Sequence, residues 1–152
     1  MIQTRRVQPK DLDYIFSHGA DLGYKGDKMI SKLENMMLVI ENNTICGIGF
    51  FVVHENKCLI NWVHIQEDYR RDKLGTMLVK TMLSTAEQQG ALQAFMYGDC
   101  PDFAEFLGFA PILDEAQLKD AQNLYQLQFD ENVFEPIFKV SLVNYFKSCC
   151  NK

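Results

Sequence analysis

Residues 65–76 read Ile-Gln-Glu-Asp-Tyr-Arg-Arg-Asp-Lys-Leu-Gly-Thr and join an apolar run to a long helical pattern. A strand that feeds directly into a helix start offers several unpaired backbone N–H groups and the positive end of the helix dipole. Both suit a pyrophosphate. Gly75 lets the backbone approach a ligand closely, and Arg70 or Arg71 can add charge-assisted hydrogen bonds. The same residues also read as an ordinary strand-to-helix turn with a solvated charge cluster, and the local sequence alone does not choose between the two.

Other reactive side chains form no comparable pattern. His18, His54 and His64 have no metal-ligand spacing with the five cysteines at 46, 58, 100, 149 and 150, so no metal site is expected. An odd number of irregularly spaced cysteines argues for reduced thiols and a cytoplasmic protein rather than a secreted disulfide framework. Cys100 has no neighbouring group to activate it and reads as a small apolar filler. The pair Cys149 and Cys150 reads as a frayed tail, with metal binding or oxidation as the alternative. Trp62 reads as core.

The elements that must position the junction follow from periodicity. Residues 3–7 can form a short edge strand. Pro9 opens a helix with apolar positions Leu12, Ile15, Phe16 and Ala20. A loop is expected over 23–27 and a second short helix over 28–36. Residues 37–41, 44–54 and 58–65 read as strands separated by the turn signals Asn42-Asn43 and Glu55-Asn56-Lys57, which predicts an antiparallel meander. The longest helical pattern covers 71–89, with Leu74, Leu78, Met82 and Ala86 as a stripe widened by Met77 and Leu83; Gly90 ends it. A strand over 91–97 is joined to its predecessor by a helix of crossover length, so the two should be parallel. Pro101 starts a short helix over 102–107, closed by Gly108. An acidic-polar connector over 114–123 and strands over 124–129 and 137–142 complete the chain. The expected fold class is α/β (an α+β mixed sheet): an antiparallel first half, one parallel crossover, and helices on both faces.

The chain is similar to the GNAT acetyltransferases. Their signature at this junction is Arg/Gln-x-x-Gly-x-Gly/Ala after an aromatic residue; here Tyr69 precedes Arg70-Arg71-Asp72-Lys73-Leu74-Gly75, and Thr76 follows. Residues 103–109, Phe-Ala-Glu-Phe-Leu-Gly-Phe, resemble the family's Phe-Tyr-x-x-x-Gly-Phe element. The resemblance covers roughly residues 2–109 and implies one acetyltransferase domain over 1–152. It implies that acetyl-CoA is held by Arg70, Arg71, Asp72, Lys73, Leu74, Gly75 and Thr76, by the strand backbone at Val63, His64 and Ile65, and by Tyr97 and Phe103. Three positions depart from the pattern. Lys73 replaces the first glycine, Ala104 stands where many relatives carry an acidic tyrosine, and Leu59 and Asn61 occupy fourth-strand positions where some carry Glu or His.

Acyl transfer from a thioester to an amine needs a neutral amine, a donor for the oxyanion, and a leaving thiolate. The resemblance puts the oxyanion donors at Val63, His64 and Ile65. A thiolate of pKa about 8.5 leaves with little acid help, and Tyr97 is the candidate to protonate it, or else simply lines the gap between strands. For the base, His64 has suitable chemistry, although strand alternation turns it away from Asn61; Glu67 can serve as a helix cap, and a water held by Asn61 needs no base. The candidate catalytic residues are therefore Tyr97, Asn61 and His64.

Composition narrows the remaining classes. With 152 residues, 47% hydrophobic and 23% charged, the chain has the size and balance of one globular domain. A net charge of -5 argues against nucleic acid, no apolar stretch is long enough to span a membrane, and residues 1–6, without a following apolar run, are not expected to act as a secretory signal. The expected partner is a small-molecule or protein amine, its identity resting on residues 19–29 and the last strands. A CoA-binding sensor without chemistry is the alternative. The segment from Leu124 onward, with Tyr145 and Phe146, either contributes to a homodimer or folds back on its own core.

Overall fold

The computed structural model describes residues 1–17, 35–70 and 73–150. The loop expected over 23–27, all but the last residues of the helix expected over 28–36, and Ala20, His18, Arg71 and Asp72 lie outside them. Seven strands form one mixed sheet: β1 (Ile2–Arg6), β2 (Met36–Glu41), β3 (Thr44–His54), β4 (Lys57–Ile65), β5 (Gln93–Tyr97), β6 (Ala110–Pro111) and β7 (Ile137–Ser141). Their order is β1-β2-β3-β4-β5-β7-β6, with β4 and β5 the one parallel pair. The expected meander and crossover are both present. The helices are α1 (Leu12–Ser17), α2 (Leu74–Gln88), α3 (Pro101–Phe106), α4 (Glu115–Phe129) and α5 (Tyr145–Cys150). By their contacts the residues fall into two compact units, Met1–Phe51 with Trp62–Met82 and Val52–Asn61 with Leu83–Lys152.

In the first unit, β1 pairs antiparallel with β2 and β2 with β3, the latter turning through Asn42 and Asn43 at φ 51° and 68°. Asparagine tolerates this left-handed conformation, so the hairpin signal in the sequence has a direct physical cause. Arg5 grips Asp11 through two hydrogen bonds of 2.7 and 2.9 Å, and the Gln8 amide donates to the same carboxylate at 2.7 Å. That pair fixes the turn Pro9–Asp11 into α1, where Ile15 is buried but Phe16 is 48% exposed. The apolar stripe is therefore narrower than its sequence suggests. On β3, a Cβ at Gly49 would come within 2.5 Å of the Met82 sulfur, and one at Gly47 would overlap Ile65 and lie 2.8 Å from the His64 carbonyl. These two glycines let α2 and the end of β4 close onto the strand.

Helix α2 begins at Leu74, directly after the left-handed Lys73. Leu74, Leu78, Val79, Met82, Leu83 and Ala86 are buried, while Met77 is exposed and Val79 takes its place. Gly90 ends the helical segment at φ 98°.

In the second unit, Lys57, Cys58 and Leu59 pair with Gln93, Ala94 and Phe95, where the parallel ladder stops. β7 runs antiparallel beside β5 and carries the two-residue β6 on its other side. The sequence reading fails over 114–129: the connector and strand expected there form a single helix, α4. Asp114 caps it by accepting the Gln117 amide at 2.9 Å, and Leu118, Ala121, Tyr125 and Phe129 recur at helical spacing against the core. The aromatic and leucine content of 124–129 imitates a strand, but the cap and the spacing of three and four belong to a helix. The tail also differs from a bare strand end. Residues 145–150 form α5, and the Tyr145 hydroxyl donates to the Leu107 carbonyl at 2.6 Å.

Tyr125 is fully buried, and its hydroxyl lies 2.8 Å from the Ile60 carbonyl and 3.1 Å from that of Phe95. One phenol proton thus serves two carbonyls on neighbouring strands, next to the end of their ladder. Tyr125→Phe leaves both buried acceptors without this donor, and the expected cost is about 2 kcal/mol. In a chain of this size that lowers Tm by roughly 4–8 °C. Thermal unfolding followed by circular dichroism checks it; an unchanged Tm would show that the hydroxyl carries no weight.

Candidate functional site

Two groups of polar residues stand out, one in each unit. The first is the junction between β4 and α2. After Ile65 the chain makes a tight turn, Glu67–Tyr69, held by hydrogen bonds from the Tyr69 amide to the Gln66 carbonyl and from Arg70 to Glu67. Gln66 pins the junction from two sides. Its amide donates to the Cys46 carbonyl at 2.8 Å, and its side chain donates to the Tyr14 hydroxyl at 3.2 Å. The Arg70 Nε–H donates to the Ile65 carbonyl at 2.9 Å, which anchors the guanidinium over the turn. His64, Gln66, Glu67, Asp68 and Arg70 line a shallow pocket here.

Lys73 immediately precedes α2 with φ 60°. This is the position at which the signature quoted above has its first glycine, and the left-handed backbone explains why glycine suits it. Lys73 adopts the conformation at some energetic cost and leaves its exposed ammonium beside the helix start. The first turn of α2 holds no carboxylate to neutralise the dipole. Met77 makes an early intrahelical bond, to Lys73, so the amides of Leu74, Gly75 and Thr76 belong to the first turn, whose N–H groups have no partner within the helix. Leu74 is buried and can offer only its backbone. Such groups could hold a diphosphate, whereas the exposed carboxylates of Glu67 and Asp68 on the turn before would repel one. Val63, His64 and Ile65 are half-buried at the end of β4.

The second group is a polar cluster of Asn61, Tyr97 and Glu131. The Tyr97 hydroxyl donates to Glu131 Oε2 at 3.0 Å, and Asn61 Nδ2 donates to the same oxygen at 3.3 Å and to the Tyr97 oxygen at 3.4 Å. Asn61 is buried and the other two are half-buried. Asn61 and Tyr97 each stand two residues beyond the last paired positions, Leu59 and Phe95, and so continue the same register where the ladder has ended. Beneath them the Tyr97 ring meets Tyr125 edge-on at 5.0 Å, and Tyr125 stacks on Phe129. Burial, and after it the Glu131 carboxylate, raises the Tyr97 pKa well above that of an ordinary phenol, so the hydroxyl keeps its proton.

Sequence reasoning placed Asn61 and Tyr97 as candidates and missed Glu131, which follows the left-handed cap Asp130 at the end of α4. The capping Asp114 and the helical spacing after it were the signal that could have found this helix and its end. His64 lines the junction pocket. Phe103 is half-buried on α3, and Ala104 is buried beside it. Cys100 is exposed at the start of α3, which corrects the expectation of an apolar filler; it occupies the position before Pro101 without a side-chain capping hydrogen bond. Among the described residues no cluster of His, Cys, Asp or Glu could hold a metal ion, and no helix is long and apolar enough to cross a membrane.

The model of the acetyltransferase (GNAT) family matches residues 10–109. No curated protein sequence matches the chain. Solved structures share its fold at low identity. A Mycobacterium tuberculosis protein in complex with CoA and NLQ superposes with TM-score 0.73 at 14% identity, over 92% of this chain and 99% of that one. N-acetylglutamate synthase from Neisseria gonorrhoeae, with coenzyme A and N-acetyl-glutamate, gives 0.72 at 12% over 93% of this chain. This chain spans only 35% of that synthase. The ribosomal-protein-S18-alanine N-acetyltransferase of Escherichia coli gives 0.65 at 15%, over 93% and 94%.

Proposed function

The chain belongs to the acetyltransferase (GNAT) family, and from that premise we propose that it transfers an acetyl group from acetyl-CoA directly to a primary amine. The observation that carries this reading is the helix start at Lys73–Thr76. It joins a cation, first-turn amides and a first turn without carboxylates at the place where the family signature falls. Acetyl-CoA is the co-substrate, its diphosphate held at that start by Lys73, Leu74, Gly75 and Thr76 with Arg70; Arg71 and Asp72, which the signature also includes, lie outside the described residues. Phe103 completes the binding residues.

In this proposal backbone N–H groups of Val63, His64 and Ile65 receive the oxyanion, a contribution of about 3–4 kcal/mol in comparable sites. Asn61 and Tyr97 supply polar contacts where the acyl group is exchanged, and His64 is a further candidate to handle a proton. Holding both reactants together supplies the larger share, about 7–11 kcal/mol. Similar folds serve both a free amino acid and a protein amine, as the N. gonorrhoeae and E. coli enzymes indicate by name, so the acceptor can belong to either class.

A CoA-binding module without chemistry is the second reading, favoured by Ala104 standing at the position of the usual acid. Incubation with acetyl-CoA and a panel of primary amines, followed by detection of released thiol, decides between them. Amine-dependent thiol release is expected. Binding of acetyl-CoA without any release would support the module, and no binding would defeat both readings.

A further inference from the structure

Resting on the transferase reading, we propose that Glu131 takes the proton from the acceptor's ammonium, so that the acceptor enters as a cationic amine. Glu131 lies in the connection from α4 to β7, outside the elements that carry the signature. Two donors on adjacent strands, Tyr97 on β5 and Asn61 on β4, converge on its Oε2 at 3.0 and 3.3 Å. A half-buried carboxylate held this way has a defined position and keeps its second oxygen geometrically distinct from the first. The groups that act on the cluster are Asn61 from β4, Tyr97 from β5, Tyr125 from α4 and Glu135 from the same connection. The two carboxylates make this region negative and suit a cation. Tyr97 keeps its own proton and so cannot be the acceptor, but it can pass one on.

An N–H bond of the ammonium breaks, its proton forms an O–H bond on Glu131, and the nitrogen lone pair is left for attack. The C–N bond forms and the C–S bond breaks, with the electron pair leaving on sulfur. Glu131 returns its proton through the Tyr97 hydroxyl to the thiolate, while the second proton on nitrogen passes to water. Amide, thiol and one released proton result, and Glu131 is again a carboxylate. Tyr97 gives up one proton as it gains another and never persists as a phenolate.

The test uses the intact chain, acetyl-CoA and a strongly basic primary amine, with thiol release followed across neutral pH. Wild-type kcat/KM for the amine should stay level, because the ammonium that the proposal takes as the entering form predominates throughout for a strongly basic amine. Glu131→Gln preserves shape and an acceptor oxygen for Tyr97. It should lower kcat/KM by about 10²-fold and turn the level profile into one rising about tenfold per pH unit, tracking the free-amine fraction. Its acetyl-CoA affinity by calorimetry should match wild type. A level profile in Glu131→Gln would overturn the proposal. So would a wild-type profile that already rises tenfold per unit, a result needing no variant at all. Failure of the transferase reading looks different: wild type then binds acetyl-CoA but releases no thiol with any amine.

Discussion

Gly75→Asp is expected to weaken acetyl-CoA binding by about 10²-fold or more while leaving the protein folded. Gly75 lies in the first turn of α2, among the amides proposed to hold the diphosphate. A carboxylate there meets like charge at close range. Two unit charges 4 Å apart at an effective dielectric constant near 20 repel by about 4 kcal/mol, and even part of that exceeds a hundredfold in affinity. The fold should tolerate the change well. Gly75 sits within the helix, where a side chain removes glycine's entropic cost of about 0.5–1 kcal/mol. An acidic residue near a helix N-terminus adds about 0.3–1 kcal/mol of stability. A binding loss in a variant whose Tm is unchanged or raised is therefore a statement about the site. Isothermal titration calorimetry measures it, and wild-type affinity in folded Gly75→Asp would remove the junction from the binding site.

Tyr97→Phe is expected to lower turnover by about 10²–10³-fold with acetyl-CoA affinity nearly intact. The variant keeps the ring that meets Tyr125 edge-on and loses only the hydroxyl. Asn61 and Glu131 then still face each other at 3.3 Å, but Glu131 has lost its shorter, 3.0 Å donor. In the proposed reaction both the placement of the carboxylate and the return path for its proton suffer together, and kcat should fall more than KM changes. Steady-state rates of thiol release, read beside calorimetric affinity, separate the two quantities. Turnover equal to wild type in Tyr97→Phe would exclude the hydroxyl from the chemistry.

Local chemistry made several elements legible from the sequence. The two hairpin turns of the meander occur because Asn42, Asn43 and Glu55 take left-handed backbone at the turn. The ends at Gly90 and Gly108 follow because glycine accepts positive φ cheaply. The stripe of α2 is a one-dimensional pattern, and so is the strand-to-helix junction with its charge cluster. Lys73 shows the same principle in reverse: the backbone conformation persists, and the residue bears the strain. Such features depend on residues a few positions apart and are readable without knowing what lies across the fold.

Contacts between distant parts of the chain were decided only by the tertiary structure. Residues 124–129 carry the leucine and aromatic content of a strand, yet Leu118, Ala121 and Tyr125 bury together against Leu59 and Phe95, and that packing selects the helix. Glu131 meets Asn61 and Tyr97, 70 and 34 positions away in the chain, only because this helix ends beside β4 and β5. Gln66 likewise acts through Cys46 and Tyr14, neither of which its neighbours in sequence announce. Cys100 has a composition that fits the core and a position outside it. A sequence pattern records which face of an element is apolar, whereas the partner that meets that face, and the polar groups gathered where a ladder ends, depend on loop closure and packing across the sheet.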